Sequence, residues 1–131
     1  MQSLIDLLKA KPYQHTYEIK GVKFTLRMLT RKEYDDVMSR ASISTEDIVS
    51  KEALLRRPVL GYALQEINGA NVKDIVEVKK LIDESNGLMP VNIAVERVLG
   101  DLDAFYVDAL YALYDKLVED NDKSREELKK D

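Results

Sequence analysis

Residues 13–28, YQHTYEIKGVKFTLRM, carry the most decisive pattern in the chain. Tyr13, His15, Tyr17 and Ile19 alternate with Gln14, Thr16, Glu18 and Lys20, and after Gly21 the alternation resumes with Val22, Phe24, Leu26 and Met28. A period of two is the signature of a strand with one covered face. Closing a hairpin over Lys20-Gly21 sets Ile19 against Val22, Tyr17 against Phe24 and His15 against Leu26. The same register sets Glu18 against Lys23 and Thr16 against Thr25, so unlike charges meet. A three-residue loop would slip the register by one and bring Glu18 onto Val22. The two-residue turn is therefore favoured, although Lys is a poor residue where φ must be positive. Two strands cannot bury a face alone, so helices must cover this one.

Outward from the hairpin the pattern becomes helical. Before it, residues 3–9 read as a short amphipathic helix capped by Ser3, with Leu4, Ile5, Leu7 and Leu8 on one side. At one or two turns it needs a surface to dock on. After the hairpin, Thr30 and Glu33 form a capping box ahead of a stripe of Tyr34, Val37, Met38 and Ala41. Ser42–Thr45 breaks this helix and caps the next, which Pro58 should end or kink near Arg56–Arg57. Val59, Leu60, Ala63, Leu64 and Ile67 then continue at helical spacing until Asn68-Gly69 stops them. Asn71 can cap a helix carrying Ile75, Val78, Leu81 and Ile82, which Asn86-Gly87 ends. Pro90 suits the first turn of another, holding Ile93, Ala94, Val98 and Leu99 before Gly100. In the last helix, Leu102, Phe105, Tyr106, Ala109, Leu110, Leu113 and Leu117 recur at spacings of three and four, with Asp101 and Asp103 in its first turn.

The expected fold is mainly α (α+β): a short N-terminal helix and a β-hairpin, then a bundle of about five to six helices. It forms a single domain over residues 1–118. From Glu119 to Asp131 only Leu128 is apolar, and this charged tail is expected to fray or be disordered.

Composition narrows the chemistry. The 131 residues contain no cysteine and one histidine, which removes thiolate metal sites and disfavours nucleophilic dyads. His15 lies on the apolar face of the hairpin, as a packed residue. The close carboxylate pairs Asp101/Asp103 and Asp35/Asp36 match no calcium-loop or glycosidase arrangement. No enzyme, cofactor or metal site is expected. No apolar run is long enough to cross a membrane, and no leader of the secretory type opens the chain. The net charge of −4 conceals a basic stretch, 9–32, in which seven Lys and Arg meet one acid, Glu18. That stretch could serve a nucleic-acid-binding accessory protein, an acidic protein partner, or the acidic second half of this same chain. Candidate partner-binding residues are Leu4, Ile5 and Leu8 on the N-terminal helix and Tyr111, which lies off the stripe of the last helix.

Two segments carry a family resemblance. Residues 17–34, YEIKGVKFTLRMLTRKEY, resemble the opening of tail assembly chaperones of long-tailed bacteriophages, a short strand pair followed by Leu26-Arg27-Met28-Leu29-Thr30-Arg31-Lys32-Glu33-Tyr34 at the start of a helical body. Residues 59–69, VLGYALQEING, are similar to the helix that precedes a loop in that family. The resemblance spans roughly residues 13–118 and rests on structural motifs. It implies a non-enzymatic protein of the host cytoplasm, absent from the mature virion. Such a protein binds the tape measure protein, keeps it soluble and recruits tail tube protein to it. Some members are also made as a longer frameshifted product. A structural tail or baseplate subunit is the alternative within the same setting.

Overall fold

The computed structural model describes residues 13–44 and 48–130, with side chains over 13–41 and 54–123. The proposed N-terminal helix, with Leu4, Ile5 and Leu8, lies outside the described residues. Strands β1 (Gln14–Ile19) and β2 (Val22–Arg27) pair in the expected register throughout, from His15 opposite Leu26 to Ile19 opposite Val22. Thr16 and Thr25 share a hydroxyl hydrogen bond of 2.8 Å. Lys20 (φ 49°) and Gly21 (φ 84°) both take positive φ, as a two-residue hairpin turn requires.

The architecture departs from a single hairpin with a helical bundle at Leu64. Residues 64–67 do not continue a helix. They form β3 (Leu64–Ile67), and Asn68-Gly69 turns the chain into β4 (Ala70–Asn71). The sheet is antiparallel, in the order β1-β2-β3-β4. The physical reason is the free edge of β2, whose peptide groups need partners once helices cover the sheet. Asn68 strengthens the pairing: its side-chain Oδ1 accepts from the Lys23 amide at 2.9 Å, and its own amide donates to the Lys23 carbonyl at 2.7 Å. Gln65 is the extra residue of a bulge, since Thr25 pairs with Glu66 but Leu26 with Leu64. Its Nε2 donates to the Tyr62 carbonyl, 2.9 Å away, at the end of the preceding helix.

Five α-helices are described. Helix α1 (Arg31–Ser44) begins at the expected capping box: the Glu33 amide donates to Thr30 Oγ1, and the Thr30 amide to Glu33 Oε1. Its stripe is narrower than predicted. Val37 and Ala41 are buried, but Tyr34 and Met38 are exposed. Helix α2 (Ile48–Ala63) runs through Pro58 without ending there. The lost hydrogen bond is offset by the burial of Val59, Leu60 and Ala63 just beyond it. Asn71 caps a 3₁₀ turn (Val72–Asp74), accepting from the Lys73 amide, before α3 (Val76–Glu84). Pro90 immediately precedes α4 (Val91–Gly100).

Helix α5 (Ala104–Lys130) spans about 40 Å at 1.5 Å per residue. Asp103 caps it, accepting from the Phe105 amide at 3.0 Å. Its backbone is helical to Lys130, and the stretch beyond residue 118 is rich in the good helix formers Glu, Lys and Arg. The helix buries Leu110, Tyr114 and Leu117 completely or nearly so, whereas Leu102 and Phe105, expected in the core, remain exposed. Tyr114 lies one turn from both Leu110 and Leu117, and its hydroxyl accepts from the Leu29 amide at 3.4 Å.

His15 is exposed, with its ring edge-on to Tyr17 at 4.7 Å. This corrects its expected packing: among the described residues β1 is the outer strand of the sheet, paired on one side only.

Polar contacts tie the layers together. Arg27 grips both oxygens of Glu33 at 2.7 and 2.8 Å, joining β2 to α1. Partial burial raises the proton affinity of Glu33, but the hydrogen bonds from Arg27 and Thr30 outweigh it and hold the carboxyl below its usual range. A depressed folded-state pKa stabilises the fold above the unfolded value of about 4.3, and this contribution is lost as pH falls through the folded value. Glu33→Gln is therefore expected to cost about 1 kcal/mol at pH 7. The difference from the parent should shrink below pH 4, as urea unfolding at pH 7 and pH 3 would show. On the other side of α1, Asp36 accepts from Tyr62 Oη at 2.7 Å, and Arg40 bridges α1 to Glu96 of α4 at 2.9 Å. Desolvation, reinforced by Asp36, pushes the Tyr62 hydroxyl pKa up to about 12.

Candidate binding site

The period of two along β2 puts Val22 and Phe24 on one face of the sheet, and β3 adds Leu64 and Ile67 beside them. Opposite this face stand Val72 and Ile75 leading into α3, then Val78 within it. Val95, Val98 and Leu99 of α4 form a third wall, and Leu102 and Tyr106 close the end. Between them lies an apolar cavity of about 430 Å³. A cavity of roughly 150 Å³ accepts a benzene ring, so this one has room for more than one large aliphatic side chain.

The mouth is apolar as well. Leu102, which lines the cavity, is 42% exposed, and Phe105, edge-on to the lining Tyr106 at 5.4 Å, is 48% exposed. Val76, at the start of α3, is 76% exposed. The Lys20 Nζ of the first hairpin turn lies 4.7 Å from the centre of the Phe105 ring and 5.7 Å from that of Tyr106. This cation–π contact pins the turn against the start of α5. Among the described residues, Glu77 and Asp101 are the only charged ones lining the cavity, and neither joins an ion pair there.

Of the candidate residues read from sequence, only Tyr111 is described, and it falls elsewhere. Leu4, Ile5 and Leu8 lie outside the described residues. Tyr111 is half-buried against the core, 6.4 Å from the Tyr114 ring and beneath the Arg56 guanidinium at 6.0 Å; it does not line the cavity. In the basic stretch, Arg27 is paired with Glu33, Arg31 with Asp35 at 3.2 Å, and Lys20 is engaged by aromatic rings. Asp35 and Asp36 serve these structural contacts, and Asp103 serves as a cap. A second opening of about 370 Å³ between α1, α2 and α4 is lined by Arg40, Arg57 and Arg97, but also by Glu96, which holds Arg40. Among the described residues no group of three or more His, Asp or Glu could hold a metal ion, and no helix is long and apolar enough to cross a membrane.

Sequence reasoning missed the cavity because half of its floor, Leu64 and Ile67, was read as helix. Asn-Gly at 68–69 was the available signal, being as typical of a tight hairpin as of a helix end. The chain matches no protein-family model, no curated protein and no solved structure.

Proposed function

We propose that this chain is a phage tail assembly chaperone, a non-enzymatic binding protein that keeps the tape measure protein soluble and recruits tail tube subunits in the cytoplasm of the bacterial host. The observation that carries the reading is the apolar cavity with Leu102 and Phe105 exposed at its mouth. A long helical client has apolar stripes that would otherwise associate with one another, and helix-in-groove contact covers such stripes through a few anchoring side chains. The capping box of Thr30 and Glu33 just after β2 is a second support for the reading, since the resemblance over Leu26–Tyr34 includes that helix start.

Co-expression with a tape measure segment is the test. The segment should remain in the soluble fraction with the parent chain. With Leu102→Asp/Phe105→Asp it should precipitate, while circular dichroism of the isolated variant stays unchanged, because both positions are exposed. A segment that is equally soluble with and without the chain would refute the proposal.

A further inference from the structure

We infer that the cavity takes a helical peptide whose apolar anchors are flanked by lysine or arginine, an inference that rests on reading the cavity as the client site. Three features define this occupant. First, the cavity floor comes from β2, which lies between β1 and β3, and from β3, whose outer edge β4 covers at Glu66 and Ile67. A guest lying there finds little free sheet edge to bond to. It must satisfy its own peptide groups, which a helix does.

Second, apolar side chains stand on every wall, and the opening continues onto exposed Leu102 and onto Phe105, edge-on to the lining Tyr106. That shape suits neighbouring large side chains at helical spacing, one inserted and another laid across the lip. Third, the two charged residues that line the cavity are both acidic. Glu77 at the start of α3 and Asp101 between α4 and α5 both line the cavity and have no ion-pair partner among the described residues. Of the cations around the opening, Lys20 already rests on Phe105 and Tyr106, and Arg57 lies against Gly100 in the adjoining groove that Leu99 and Leu102 also line. A guest cation beside an inserted anchor would complement the two carboxylates, while a guest carboxylate would be repelled by both.

The test uses the full chain and three synthetic helical peptides with identical leucine spacing, flanked by Lys, Gln or Glu. At low salt the Lys peptide should bind roughly tenfold more tightly than the Glu peptide, with the Gln peptide between them, and the spread should narrow as salt is added. Glu77→Gln/Asp101→Asn should abolish the spread among the three peptides, and a circular dichroism spectrum like the parent's shows that the variant is folded. Equal affinities for all three peptides would overturn the charge preference and leave the cavity as the client site. A spread that persists in the double variant would overturn the assignment to Glu77 and Asp101. Failure of every peptide to bind, alongside successful co-expression, would overturn the helical occupant alone. Failure of both experiments would remove the chaperone reading itself.

Discussion

Leu26→Ala is expected to destabilise the fold by about 3 kcal/mol, lowering the melting temperature by roughly 10 °C. Leu26 has no solvent exposure and occupies β2, which has a neighbouring strand on either side. It lies opposite Leu64 of β3, next to the bulge at Gln65. Truncation therefore removes buried methyl groups where the sheet is held on both sides and cannot readily collapse into the space. Leu102→Ala provides the contrast: the same change of side chain at a 42% exposed position is expected to alter stability by about 0.5 kcal/mol or less. Thermal or urea unfolding of the two variants measures the difference, and equal losses would show that Leu26 is not the packed centre described here.

Gly61→Ala is expected to cost about 2 kcal/mol by the opposite mechanism. Gly61 lies in α2 where that helix crosses α4. A methyl group there would sit 2.6 Å from the Asn92 carbonyl oxygen and 2.9 Å from Glu96 Cγ. Glu96 could shift its side chain, but the carbonyl belongs to the backbone of α4, so the two helices must separate. Separation would loosen Ala94 and Val95 from Leu60 and disturb the Arg40–Glu96 bridge. Alanine's better helix propensity returns about 1 kcal/mol, less than the overpacking cost this contact predicts. Gly100→Ala provides the control. Its added methyl would meet only the end of the Arg57 side chain, which can swing away, so little change is expected. If Gly61→Ala proved as stable as the parent, the close crossing of α2 and α4 would be wrong.

The first hairpin was legible residue by residue because one register satisfies every pair along its length, and a slip of one penalises several pairs together. The second hairpin was hidden because Leu60, Ala63, Leu64 and Ile67 fit a helical stripe as well as a helix end followed by a strand. Only the unpaired edge of β2 decides between them, and that edge exists in three dimensions alone. On α5 the spacing of three and four identified the buried face, including Leu110 and Leu117, but not how far other elements cover it. Leu102 and Phe105 continue the stripe past the point where cover ends, and so they reach the surface. His15 shows the same effect on β1: alternation assigns the face, while position at the margin of the sheet leaves it bare. The cavity was illegible for a related reason, since its walls come from segments separated by as many as 84 positions, from Val22 to Tyr106.

The brevity of β4 has a consequence for self-association. Ala70–Asn71 presents only two residues before the chain winds into its 3₁₀ turn, so that margin of the sheet is blunt and offers little template for a further strand. Six-residue β1 forms the other margin. Among the described residues β1 is thus the longer free edge, and pairing of copies through it, β1 against β1, has twofold symmetry and uses up both templates at once. Pairing through that edge ends at two copies, a fitting property for a protein whose proposed task is to keep another chain from aggregating.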